Sequence, residues 1–554
     1  MTDLVIRGGT VLDGTGAPGR RADVAIQGER IEAIGPNLRG RRELDAGGQV
    51  VAPGFIDIHT HYDAQVFWDP ALTPSCFHGV TTVVAGNCGF SIAPTRPTHR
   101  SVIARTLEKV EDMNVATLDA GIPWDFESFA EYLGSVRRRG TILNFTAYVG
   151  HTALRLWALG EEAYERAATP AEVEVMCAAL RGGLEAGAAG LATSFAPTHV
   201  GMNGRPVPSR LSDREEFEAL CRTVGAFGKG VIHVAPGQPI GIPDLYPLQR
   251  AIGRPFTYAA LLTFPGIDHR ALAELNTKER AAGARVWPQV SPRPLTFEIT
   301  MEDPFSFASA GIVAELNAKP REHRIACYRD AAWRERAEAQ LKEIVLRPRW
   351  ETFTVSEHAL RPDLEGKGLS ALARERGSSP FDALCAIAVE SDLRPRFRQT
   401  LGNDDVEGVA WLLTREGCVL GLSDAGAHVG QLCDAPMPTD LLGRWVRERG
   451  VMPLEKAVHK LTGEPAALFG LEDRGALRPG AFADVVVFDP ETVEPGPTRR
   501  VRDFPADAQR LTADAPRGMT HLLVNGVPIR EDGVALHASL EARPGRIPRL
   551  GASS

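Results

Sequence analysis

Residues 51–70, VAPGFIDIHTHYDAQVFWDP, place two histidines one residue apart at the end of an apolar run. The run FIDI reads as a buried strand, and a single intervening residue in extended chain turns His59 and His61 to the same face. Flanked by Asp57 and Asp63, the pair is either a polar strand end bonded to backbone or half of a metal site. The ends of the other strands decide between them.

Seven further apolar runs follow, alternating with helical patterns: VTTVVAGNCG, LNFTAYVGH, GLATSF, GVIHVAPG, PFTYAALLT, ARVWPQVSP and CVLGLSDAGAH. Short buried strands alternating with helices predict a parallel sheet. The spacing predicts a helix over 170–185 after the third run, opened by Thr169 as cap with Glu172 three residues on. Eight such units predict an α/β chain organised as a (β/α)8 barrel over 53–475, with its site at the C-terminal strand ends. Long insertions near 91–139 and 295–398 break the rhythm and read as lids or specificity elements. The short strands of 1–52 and 476–540 predict a small β-sandwich built from both chain ends, and the last dozen residues read as a loose tail.

Taken singly, each polar strand end has a bland explanation. A lone Cys88 in GNCG is most often a small core residue, His151 in GHTALR a backbone-bonded or capping side chain, and His233 in VIHVAPG a satisfied core histidine. Together they converge. His59, His61, Cys88, His233 and Asp424 (in GLSDAGAH, with His428 beyond) all fall at C-terminal strand ends, and such N, S and O donors suit zinc. A metal there would activate water, with Asp424 as general base and then general acid. No GxSxG elbow or phosphate-binding GxxxxGK[ST] loop occurs.

At these residues the chain resembles the amidohydrolase superfamily, in its N-acyl-D-amino-acid deacylase (D-aminoacylase) branch. The blocks PGFIDIHTHYD, HGVTTVVAGNCGFSIAP, GHTALR, GLSDAGAH and ALRPGAFADVVVFDP carry the resemblance across nearly the whole chain. It implies a barrel beside a small β domain and one or two zinc ions per subunit. His59 and His61 would be metal ligands, Cys88 would take the bridging place, His233 would be the strand-five ligand, and Asp424 the catalytic acid–base. It implies hydrolysis of the amide of an N-acyl-D-amino acid or a related N-acyl compound.

The departures are specific. The family's strand-six histidine should lie in PFTYAALLT, where Tyr258 stands nearest, and its lysine two residues on falls on Ala260. Tyrosine, with a pKa of about 10, is a poor zinc ligand at neutral pH; His428 or His269 could be recruited instead. The loop after Asp424, AGAHVGQLCDAPMPTD, has no arginine, and TSFAPTHVG carries Phe195 where the family has a tyrosine. A substrate carboxylate would lose charge-assisted bonds worth about 1.5–3 kcal/mol each. Arg205, Arg210 and Arg293 are candidate replacements, and His151, Tyr258 and His428 candidate substrate contacts. The alternatives are a hydrolase of a neutral or cyclic amide and a catalytically silent scaffold.

The bulk composition bounds the partners. Net charge −8 disfavours nucleic acid and anionic membrane, and no apolar run reaches 18 residues. Eight cysteines without a CxxC pair read as reduced thiols, and the N-terminus lacks a signal-peptide plan, so a cytoplasmic location is expected. The expected partner is a small-molecule amide; homo-oligomerisation stays open.

Overall fold

The computed structural model describes residues 2–201, 204–344 and 347–551. Eight parallel strands run through the middle of the chain. They are β1 (Phe55–Asp57), β2 (Val80–Ala85), β3 (Asn144–Ala147, resumed at Val149–Gly150), β4 (Gly190–Ser194), β5 (Val231–Ala235), β6 (Phe256–Tyr258), β7 (Val286–Val290) and β8 (Val419–Leu420). Each lies in one of the eight apolar runs. They pair in chain order, β1 through β3 in one ladder and β3 through β8 in the next. A parallel bridge from Thr60 to Ala425 links the exit of β8 to that of β1. Strands buried on both faces explain why the runs are continuous rather than alternating. The helix expected after the third run forms as Pro170–Ala186, and Thr169 and Glu172 close its capping box.

Both chain ends join one nine-stranded sheet. Val50–Pro53 sits between Thr2–Val11 on one side and Val485–Phe488 on the other. A separate hairpin, Arg499–Phe504 with Ala508–Thr512, leaves that segment and reaches the first insertion. There the Thr117 hydroxyl donates to Pro505 O, and Leu511 N donates to Val429 O just beyond β8.

The tail expected to be loose is fastened where it is described. Gly545 N donates to Thr141 O, Arg546 O accepts from Phe145 N, and Gly551 N donates to Gly470 O. Its last three residues, 552–554, lie outside the described set.

The second insertion folds around its own core. Three antiparallel strands, Leu295–Thr300, Thr354–Glu357 and Arg396–Gly402, pair beneath helices that bury Phe307, Trp333, Phe353, Phe381 and Leu384. Among the described residues, no helix is long and apolar enough to cross a membrane.

Candidate metal centre

The strand ends bring His59, His61, Cys88, His233 and Asp424 together. His59 Nε2 lies 3.0 Å and His61 Nε2 3.5 Å from the same Asp424 oxygen. Cys88 Sγ lies 3.7 Å from His59 Nε2 and 3.9 Å from His233 Nε2. Ligands about 2.0–2.3 Å from a tetrahedral zinc stand roughly 3.3–3.8 Å apart, so these separations fit one ion with modest adjustment. His59, His61 and Cys88 in particular offer donor atoms all within 4.8 Å of one another, and all three are buried.

Local backbone explains how the donors get there. Cys88 turns into the site on left-handed backbone (φ 55°), between Gly86 and Gly89. A Cβ on Gly86 would stand 2.6 Å from Tyr148 O, and one on Gly89 3.0 Å from Ala192 O, so β2 can end there only on glycine. Asp424 (φ 45°) and His428 (φ 48°) also hold left-handed backbone, a strain that concentrates at functional sites.

The charges support one another. Burial would depress His59, but the Cys88 thiolate and Asp424 outweigh it and raise its pKa to about 10. Burial would raise Asp424 and Cys88, yet the two imidazoles hold Asp424 well below the ordinary carboxylate range and draw the thiol down. Burial, with His59 and His61 nearby, keeps His233 neutral, the form that ligates metal. A metal ion there would take the place of the protons that Cys88, Asp424 and Glu111 hold on His59 and His61.

Several site residues were not singled out from sequence. Gln289, in β7, takes His59 Nδ1 on its Oε1 at 2.6 Å and places its Nε2 3.4 Å from His233 Nδ1. Its amide in a buried strand was a readable signal. Glu111 Oε1 stands 2.9 Å from His61 Nδ1, and nothing in its local sequence announced that. His199, inside the TSFAPTHVG stretch, bonds the Ser194 hydroxyl at 2.6 Å. Burial and the nearby His428 and His61 lower it to about 3. Asp57, which flanks the histidine pair, accepts the His59 backbone N–H at 3.2 Å.

His151 has both ring nitrogens occupied, by Thr193 Oγ1 at 2.8 Å and Glu216 Oε1 at 2.7 Å, with Arg155 on the other Glu216 oxygen. Its side chain is buried. Tyr258 points away from the donors, towards Tyr246 and Cys418. Strand alternation puts its neighbour Thr257 inside instead, where the Thr257 hydroxyl accepts from Gln289 Nε2. Arg205 turns to Tyr164 O and Glu165, and Arg210 to His199 O. Arg293 is fastened to Asp434 at 2.6 Å and Asp440 at 3.4 Å. His269 opens an outer helix and packs on Trp411. His428 does face the site: its ring packs against the stacked pair Phe297 and Phe305, 5.2 Å from each, and burial lowers its pKa against the opposing Asp424 and Glu111.

A family model described as the amidohydrolase family matches residues 42–529. The N-acyl-D-glutamate deacylase of Alcaligenes xylosoxydans xylosoxydans is 33% identical over 100% of this chain and 97% of its own. A solved D-aminoacylase, whose binuclear metal centre has been characterised, superposes with a TM-score of 0.69 at 27% identity, covering 99% of this chain and 100% of that one. An N-acyl-D-glutamate deacylase from Bordetella bronchiseptica, complexed with zinc and a phosphonate inhibitor, gives 0.68 at 27% identity and covers 99% of each chain. The chain belongs to the amidohydrolase family and is a hydrolase of that class. Within the family its place is the branch of the N-acyl-D-amino-acid deacylases.

Proposed function

We propose that the eight parallel strands form a closed (β/α)8 barrel whose mouth holds zinc, and that the protein cleaves the amide of an N-acyl-D-amino acid or related N-acyl compound. The observation that carries this reading is the convergence of His59 and His61 Nε2 on one Asp424 oxygen beside Cys88 and His233. Zinc bound there would supply a Lewis acid for the scissile carbonyl and for water. Asp424, kept ionised by the two imidazoles, takes the proton of the attacking water and returns it to the departing nitrogen. His59 is held by Gln289 so that Nε2 faces the site, and His199 and His428 border the substrate side.

A neutral or cyclic amide is the second reading, and one observation favours it. The three arginines considered as carboxylate anchors are turned to backbone carbonyls or to acids of their own. Zinc analysis and a substrate panel test both. We expect about one zinc or more per chain and turnover of N-acetyl-D-amino acids; turnover confined to capped or lactam analogues would select the second reading. Less than about a tenth of an equivalent of zinc after supplementation would defeat both and leave the silent scaffold.

A further inference from the structure

Glu111 ends the helix Arg100–Val110 in the first insertion, and only 4% of its side chain is exposed. A carboxylate there is doubly disfavoured: it is out of water, and it faces the negative end of a helix dipole. It needs a positive partner, and its Oε1 lies 2.9 Å from His61 Nδ1. The approach is bent away from hydrogen-bond geometry, and among the described residues neither atom has a hydrogen-bond partner. The same residues grip the loop beyond the catalytic aspartate: Glu111 O accepts from Val429 N, and the Asp112 carboxylate accepts from Gly430 N at 3.0 Å. The first insertion is thereby fixed against both His61 and the chain that follows Asp424.

We propose that Glu111 is a positioning residue of the metal centre. Its carboxylate, 2.9 Å from His61 Nδ1, lies against the edge of the ring opposite Nε2 and so holds Nε2 towards the site, 3.5 Å from the oxygen of Asp424. His59 has the equivalent support in Gln289, but that residue comes from within the parallel strands, whereas Glu111 is delivered by inserted chain. Outer partners of this kind fix ring orientation and ligand basicity.

The inference rests on the reading that the site holds zinc, and the test separates the two. Metal-free wild type, Glu111→Gln, Glu111→Ala and Glu111→Asp would be titrated with zinc alone against a chelator of known affinity, with thermal unfolding followed in parallel. Glu111→Gln keeps the shape of the side chain and an acceptor oxygen, so it guards against a folding defect. The expected result is zinc binding weaker by about 10–100-fold in Glu111→Ala, with Glu111→Gln and Glu111→Asp between it and wild type. Cobalt-substituted Glu111→Ala should show a shifted visible spectrum. Zinc affinity within about twofold of wild type in folded Glu111→Ala overturns this proposal and leaves the proposed function standing. Wild type that binds no zinc overturns both.

Discussion

The parallel-strand body and the second insertion bury comparable kinds of chain to opposite ends. The body turns His59, His61, His233, Thr257 and Gln289 inward, and offsets the cost of holding polar groups away from water by pairing most of them. The insertion turns Phe307, Trp333, Phe353, Phe381 and Leu384 inward and gains free energy from each. One interior is organised for chemistry and the other for cohesion. They meet where Phe297 and Phe305, at the root of the insertion, pack on His428.

If that contrast holds, substitutions in the two regions should separate function from stability. Asp424→Asn should lower kcat by about 10²–10⁴-fold while zinc content, measured by atomic absorption, stays near wild type. Near-normal turnover would remove the assigned base. Phe381→Ala, at a fully buried position, should cost about 3–5 kcal/mol in a calorimetric transition of the insertion and leave zinc content unchanged. Zinc lost in step with that transition would show that the two interiors are not independent.

A smaller effect is expected from pH. Burial, reinforced by Asp303, raises Asp112 to about 7 against the opposing Arg396. A carboxyl with a native pKa above its unfolded value costs the folded state progressively more as pH rises from about 4 to 7. The advantage in Tm of Asp112→Asn over wild type should therefore grow by a few degrees between pH 4.5 and 7.5; a difference that shrinks with pH would reverse the sign. Smallest of all, Tyr258→Phe should cost about 1 kcal/mol or less and leave kcat/KM within about twofold. A larger loss of turnover would put that hydroxyl in the site after all.

The same contrast explains what was legible. Parallel strands covered on both faces must be continuous apolar runs, so all eight could be found by eye, and their polar ends named five converging donors. That Thr257 rather than Tyr258 meets Gln289 was not legible, because strand periodicity is two: His233 pairs in register with Thr257, and a slip of one residue exchanges inner and outer faces. The partner of His151 was not legible, because Glu216 lies 65 residues away on another helix. Glu111 had no local signature, since its role depends on where an insertion comes to rest. The independent core of the second insertion was likewise hidden, since aromatic residues in a long loop do not reveal that they pack on one another.

The nine-stranded sheet has a consequence for biosynthesis. Val50–Pro53 must wait for Val485–Phe488, roughly 430 residues later in translation. At about 5–20 residues per second, an emerging chain carries that unpaired strand edge for roughly 20–90 s. That pairing can form only after Phe488 has emerged, so ribosome-bound chains should depend on chaperones that shield exposed strand edges.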